Sequence, residues 1–137
     1  MEKHWKIVKK LQKLVQCDQF VVTGSIALNL HGLTKEQPHD IDIILANPTK
    51  PTIQMLETLQ KMNPIPKRNM SYMDEFLYSF MSEGIEVNIF CQGKEEGCLW
   101  YDYVQVSPIM KIIQAKKGYR RIKDFQQLND IAKSIMI

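Results

Sequence analysis

The stretch that decides the fold is Val21-Val22-Thr23-Gly24-Ser25, followed after fourteen residues by Asp40-Ile41-Asp42-Ile43-Ile44. Side chains two apart on an extended strand share a face. Asp40 and Asp42 therefore project together, while Ile41 and Ile43 pack on the other side. Two neighbouring carboxylates repel each other and need a compensating cation. Hard oxygen ligands of this kind suit magnesium, which keeps waters and completes its shell with phosphate oxygens. Upstream, an apolar strand ends at Gly24-Ser25, and a short helix follows over Ile26-Ala27-Leu28-Asn29-Leu30 with Ser25 as its N-cap. Glycine at that turn lets phosphate oxygens approach backbone N–H groups at the positive end of a helix. Gly-Ser before a helix is common, and Asp-x-Asp on a strand is only moderately specific; in this order they reinforce each other. The competing reading of Asp40 and Asp42, as solvent-facing residues of an edge strand, fits poorly with their apolar neighbours.

Working outward, residues 3–16 place Trp5, Ile7, Val8, Leu11, Leu14 and Val15 at helical spacing. His31-Gly32 ends the short helix, and a polar loop containing Pro38 leads into a strand from His39 to Leu45. Asn47-Pro48 and Pro51 precede a helix from about Thr52 to Met62, which Asn63-Pro64 stops. Phe76–Met81 and Ile85–Phe90 read as strands joined by a Ser82-Glu83-Gly84 hairpin turn. Tyr103–Val106 is a last short strand, and Pro108 opens a helix through Lys117. Gly118 breaks that helix, and another runs from near Asp124 toward Ile135. With no repeat and no linker, the pattern predicts one mixed α and β domain over residues 1–137.

Composition narrows the function classes. A hydrophobic fraction of 45% and a charged fraction of 24% belong to an ordinary globular chain, which excludes long disorder. No apolar run approaches the ~20 residues that span a bilayer. The amphipathic start does not read as a secretory leader, so the expectation is a cytoplasmic protein without a membrane partner. Cys17, Cys91 and Cys98 are odd in number and lack CxxC spacing, which points to reduced thiols and not to a disulfide framework or a zinc site. The net charge of +3 is mild. Its lysines and arginines gather near Lys9, Lys10 and Lys13 and again at Lys111, Lys116, Lys117, Arg120, Arg121 and Lys123. Solvated helix faces account for such groups, although a basic segment facing an acidic site would also suit a triphosphate. A pure RNA-binding role lacks an accompanying stacking motif.

The run from Val21 to Leu45 resembles the signature of the nucleotidyltransferase superfamily. The segment Gly24-Ser25-Ile26-Ala27-Leu28-Asn29-Leu30-His31-Gly32-Leu33 is similar to the AbiEii-like and minimal nucleotidyltransferases, some of which are toxins of toxin–antitoxin pairs. Arg121-Ile122-Lys123-Asp124-Phe125-Gln126-Gln127-Leu128 resembles their C-terminal Arg-x-Lys-Asp segment more weakly. The resemblance implies an α+β nucleotidyltransferase fold, a central twisted mixed β-sheet flanked by helices. It also implies magnesium-dependent transfer of a nucleoside monophosphate from a nucleoside triphosphate to a hydroxyl of a small molecule, an RNA or a protein. Asp40 and Asp42 would hold the metal; Gly24 and Ser25, with Lys35 and Lys123 as basic neighbours, would hold the triphosphate. A third carboxylate from a neighbouring strand would complete the site, either binding a second metal or acting as general base.

The sequence departs from the pattern in Ile85-Glu86-Val87-Asn88-Ile89-Phe90, where Asn88 stands at the position of the usual Asp. Either Glu86, two residues earlier on the same face, is the third carboxylate, or the chain is a nucleotide-binding module with little turnover that acts with a partner protein. A homodimer that shares its acceptor cleft would offset the small size. Gln127 likewise replaces the second Asp of the C-terminal pattern. His39 points away from the aspartates and reads as a surface group, and His31 as a helix end. Trp100, Tyr101 and Tyr103 are able to stack a base, but aromatic strand residues are more often core.

Overall fold

The computed structural model of the chain describes residues 1–66, 77–119 and 122–136, and within these the side chains of all but 116–119, 122–125 and 134–136. In chain order the elements are α1 (Glu2–Leu14), β1 (Gln19–Thr23), α2 (Gly24–Leu30), β2 (Asp40–Ala46), α3 (Lys50–Met62), β3 (Leu77–Ser82), β4 (Ile85–Gln92), β5 (Leu99–Tyr101), β6 (Val104–Val106), α4 (Ile109–Tyr119) and α5 (Ile122–Met136). The strands form one sheet in the order β3-β4-β2-β1-β6-β5. β2 runs antiparallel to β1 and parallel to β4, so the sheet is mixed and β2 lies inside it.

Alternation along β2 is realised as the sequence dictates. Ile41, Ile43 and Leu45 are fully buried on one face. There they meet Val22, Val87, Ile89 and Phe80 from the sheet, Ile7, Val8 and Leu11 from α1, and Leu56 from α3. Each such aliphatic side chain contributes about 1.5–3 kcal/mol when removed from water. A second cluster of Ala27, Leu28, Val106, Ile112 and Ile131 packs α2 against α4 and α5. Thr49 caps α3, its hydroxyl accepting from the Thr52 amide, and the Thr52 hydroxyl accepts from the Gln16 amide at the exit of α1.

The turn between β3 and β4 sets the register on which the site depends. Glu83 and Gly84 have φ of +50° and +80°, the two-residue hairpin geometry whose twist matches that of the strands. It places Met81 opposite Glu86 and Ser79 opposite Asn88. A slip of one residue would turn both Glu86 and Asn88 into the core.

Three details differ from the sequence reading. α2 begins at Gly24 with Thr23 as its N-cap and no side-chain cap bond, so Ser25 is inside the helix. Helix α4 continues through Gly118 to Tyr119, because a lone glycine weakens a helix by only ~1 kcal/mol relative to alanine. Strand β5 is an element that the aromatic run concealed, and its side chains are exposed, not core. Phe76, expected to open β3, lies outside the described residues, as do Arg120 and Arg121. Among the described residues, no helix is long and apolar enough to cross a membrane.

Candidate active site

The pairing of β2 with β4 sets Asp40 beside Glu86 and Asp42 beside Asn88. Partners in a parallel pair present their side chains on the same face, so the four polar groups form a square two rungs deep. On the other side of β2, Thr23 is opposite Asp42. Asn88 is 2% exposed and works as a clamp. Its amide nitrogen donates to Asp42 Oδ1 at 3.1 Å and to Glu86 Oε2 at 2.9 Å, while its carbonyl accepts from the Ser79 hydroxyl at 2.7 Å. An aspartate at position 88 would oppose two carboxylates; the asparagine joins them. Glu86 therefore stands on the Asp40 rung as the third carboxylate of this face.

Gly24 brings the chain turn against the same group. Its φ of +66° favours glycine, and a Cβ there would collide with Asp42 Oδ2. Ser25, 7% exposed, accepts from Gln127 Nε2 of α5 at 3.0 Å. That bond ties the C-terminal helix to the glycine turn, and among the described residues Gln127 Oε1 has no hydrogen-bond partner. The replacement that departed from the C-terminal pattern is thus the residue that reaches the site. His31 Nε2 donates to the Ser107 carbonyl at 2.8 Å and fixes the other end of α2.

The remaining sequence candidates separate. Lys35 is exposed on the loop before β2, and among the described residues nothing joins its ammonium to the carboxylates. The Lys123 side chain lies outside the described residues. His39 is exposed and 3.7 Å from Glu36, on the surface as expected. His4, buried on α1, lies beside the Pro38 backbone, and burial lowers its pKa from 6.5. Nothing in the sequence marked His4 as a support for the loop entering Asp40.

One rung below Asp42 and Asn88, Ile44 and Phe90 continue the same face and floor a cavity of about 670 Å³. Lys111 and Gln114 from α4 and the 93–96 loop form its walls. Gln19 pins that loop to the sheet, donating to the Glu95 carbonyl at 2.8 Å and accepting from the Glu95 amide at 2.7 Å. The Ser107 hydroxyl donates to Glu95 Oε2 at 2.6 Å. The volume lies within the ~300–1,000 Å³ range of small-ligand sites.

This architecture matches a crystal structure of a Thermotoga maritima protein assigned as a nucleotidyltransferase, at a TM-score of 0.57 and 16% identity, over 97% of this chain and 94% of that one. The chain has the nucleotidyltransferase fold. No protein-family model matches the sequence, and no curated protein matches it. A likeness at this identity concerns the fold and leaves the AbiEii-like resemblance where the sequence put it.

Within this fold, the donor set of the β2 and β4 face suits a divalent cation bound in an open shell. Among the described residues no three carboxylate, imidazole or thiol groups converge closely enough to enclose a metal by themselves. Magnesium does not require that, since it is held by one or two carboxylates together with water and substrate phosphates. Asp40 and Asp42 on one strand face, with Glu86 alongside, fit such an open half-shell. The thiols stay outside this chemistry. Burial raises the pKa of Cys17 and Cys91, and burial with the neighbouring Glu95 charge pushes Cys98 up to about 11.

Proposed function

We propose that the chain is a magnesium-dependent nucleotidyltransferase that moves a nucleoside monophosphate from a nucleoside triphosphate to a hydroxyl acceptor. The observation that carries this reading is the square of Asp40, Asp42, Glu86 and Asn88 beside the Gly24 turn. Magnesium held by Asp40 and Asp42 would supply charge neutralisation for the triphosphate. Gly24 and Ser25 would receive the β- and γ-phosphates on the backbone of the turn. Glu86 takes the proton of the acceptor hydroxyl as its oxygen bonds to the α-phosphorus; the bond to the bridging oxygen breaks and pyrophosphate leaves. Asn88 keeps Glu86 and Asp42 in place.

The rungs also orient the substrates. Glu86 is on the Asp40 rung, whereas the cavity opens on the Ile44 and Phe90 rung. The acceptor therefore approaches from the Glu86 side, and the nucleoside occupies the cavity over Phe90.

Incorporation of α-labelled ATP, CTP, GTP and UTP with magnesium and cell extract tests the proposal. Transfer that is lost in Asp42→Asn and in Glu86→Gln is expected; transfer that survives both substitutions would sink it. A second reading rests on Asn88 itself, which occupies the rung position beside Asp42 as a donor. In that reading the chain binds a triphosphate with little turnover and acts with a partner, as in a toxin–antitoxin pair. It predicts magnesium-dependent binding without label transfer.

A further inference from the structure

We infer that β5 is the seam of a two-fold dimer, pairing antiparallel with β5 of a second copy about Trp100. The two edges of the sheet are finished differently. At the β3 edge, α3 covers the strand: the outward Ser79 amide donates to Gln60 Oε1 at 2.8 Å, and the Met81 amide donates to the Asn63 carbonyl at 2.8 Å. At the β5 edge, no described strand or side chain caps the outward backbone groups of Leu99–Tyr101. Soluble proteins guard such edges with lysine, proline, bulges or a covering element. Leu99-Trp100-Tyr101 is protected only by its length of three residues, with no lysine, proline or covering element among the described residues, and its side chains are 56%, 67% and 51% exposed.

The edge is also held rigidly. Asp102 and Tyr103 form the turn into β6 with φ of +48° and +63°, a conformation costly for a bulky residue such as tyrosine. Three side chains of α1 secure it: Trp5 Nε1 donates to Asp102 Oδ2 at 2.7 Å, Lys9 Nζ to the Asp102 carbonyl at 2.8 Å, and Gln12 Nε2 to the Tyr103 carbonyl at 3.0 Å. Tyr103 is left 84% exposed at the tip. An apolar surface fixed in advance loses little entropy on association.

A second copy is the occupant that fits. Antiparallel pairing about a two-fold axis sets Trp100 against Trp100 and Leu99 against Tyr101, so every facing pair is apolar. Complete covering of these residues and Tyr103 would remove at most roughly 600 Å² per copy, about 1,200 Å² in all, which sets the pairing at or below the lower end of specific interfaces. The Asp102 carboxylate is already near Lys9, at 3.8 Å, so the seam brings no unpaired like charges together. With the β3 edge capped, assembly closes at two copies. The carboxylates lie on β2 and β4, with β1 and β6 between them and the seam, so this inference stands apart from the nucleotide reading.

Size-exclusion chromatography with light scattering should give twice the 16.0 kDa chain mass, and Trp100→Glu should weaken dimerisation by roughly a hundredfold or more while leaving the circular dichroism spectrum unchanged. Trp100→Cys should cross-link to a covalent dimer on mild oxidation, because residues facing each other across an antiparallel pair have Cα atoms within disulfide reach. The unmodified chain, with only Cys17, Cys91 and Cys98, should not. A monomer at the highest soluble concentration, or a dimer indifferent to Trp100→Glu, would overturn the inference. So would a monomer whose tryptophan fluorescence is quenched by a single-stranded oligonucleotide, which would assign the surface to nucleic acid.

Discussion

The two faces of β2 divide the labour of the protein between them. Ile41, Ile43 and Leu45 are fully buried against α1 and α3, whereas Asp40 and Asp42, on the same seven residues, are only half-buried. One face supplies the free energy of folding; the other carries like charges that oppose it. The lesson is that stability and chemistry are separable here by a single step along the chain. Substitutions at adjacent positions should therefore fail in different assays.

The largest expected effect is on the carboxylate face. Asp42→Asn should lower label transfer by roughly a thousandfold, since metal-held charge stabilisation amounts to several kcal/mol. The same substitution removes a charge from beside Asp40 and Glu86, so the melting temperature should stay level or rise. A fall in both would break the comparison, because it would make Asp42 a structural residue. Next is its neighbour. Ile43→Ala should cost about 2–5 kcal/mol of stability by denaturant titration, while the fraction still folded keeps its magnesium-dependent binding of nucleotide.

Asn88 lies where the two faces bear on each other, and its substitution sharpens the contrast. Asn88→Leu removes the three hydrogen bonds by which this amide joins Ser79, Asp42 and Glu86, for a loss of roughly 1.5–3 kcal/mol. Asn88→Asp places a third charge against Asp42 and Glu86. Its melting temperature should be lower than that of the parent in a chelator, and magnesium should restore more of it than it adds to the parent. Equal magnesium responses in thermal melts would show that the square does not hold the cation.

How much of this was legible follows from the range of the interactions. Asp40 could be placed with Asp42, and Glu86 with Asn88, because strand alternation is local, and Gly24 was marked because phosphate approach at a strand-to-helix turn favours a residue without a side chain. The position of Asn88 was legible, but its role was not. A single sequence shows a missing carboxylate; only the register of three strands shows an amide bridging two of them. Ser25 was misread as a cap because the residue that engages its hydroxyl, Gln127, is remote in sequence. The aromatic run at Trp100 and Tyr101 was read as core because aromatic strand residues usually are. Its exposure follows from its place at the outer edge of the sheet, which no periodicity encodes.

The smallest effect tests the loop that delivers Asp40. His4 is buried on α1 beside the Pro38 backbone. Burial disfavours its charged form, the N-terminal and Lys3 charges add to this, and together they outweigh the Pro38 backbone and the Asp40 charge, so its folded-state pKa lies below 6.5. Protons therefore bind the unfolded chain first as pH falls. His4 should contribute full stability above about pH 6.5, lose it progressively below that value, and lose no more once the pH drops beneath the folded-state pKa. Thermal melts at pH 7.5 and 5.5 should show a lower midpoint at the acid pH, and His4→Phe should shrink the difference. A difference that the substitution leaves unchanged would show that the acid sensitivity does not come from His4 and that its burial beside the loop is a matter of packing alone.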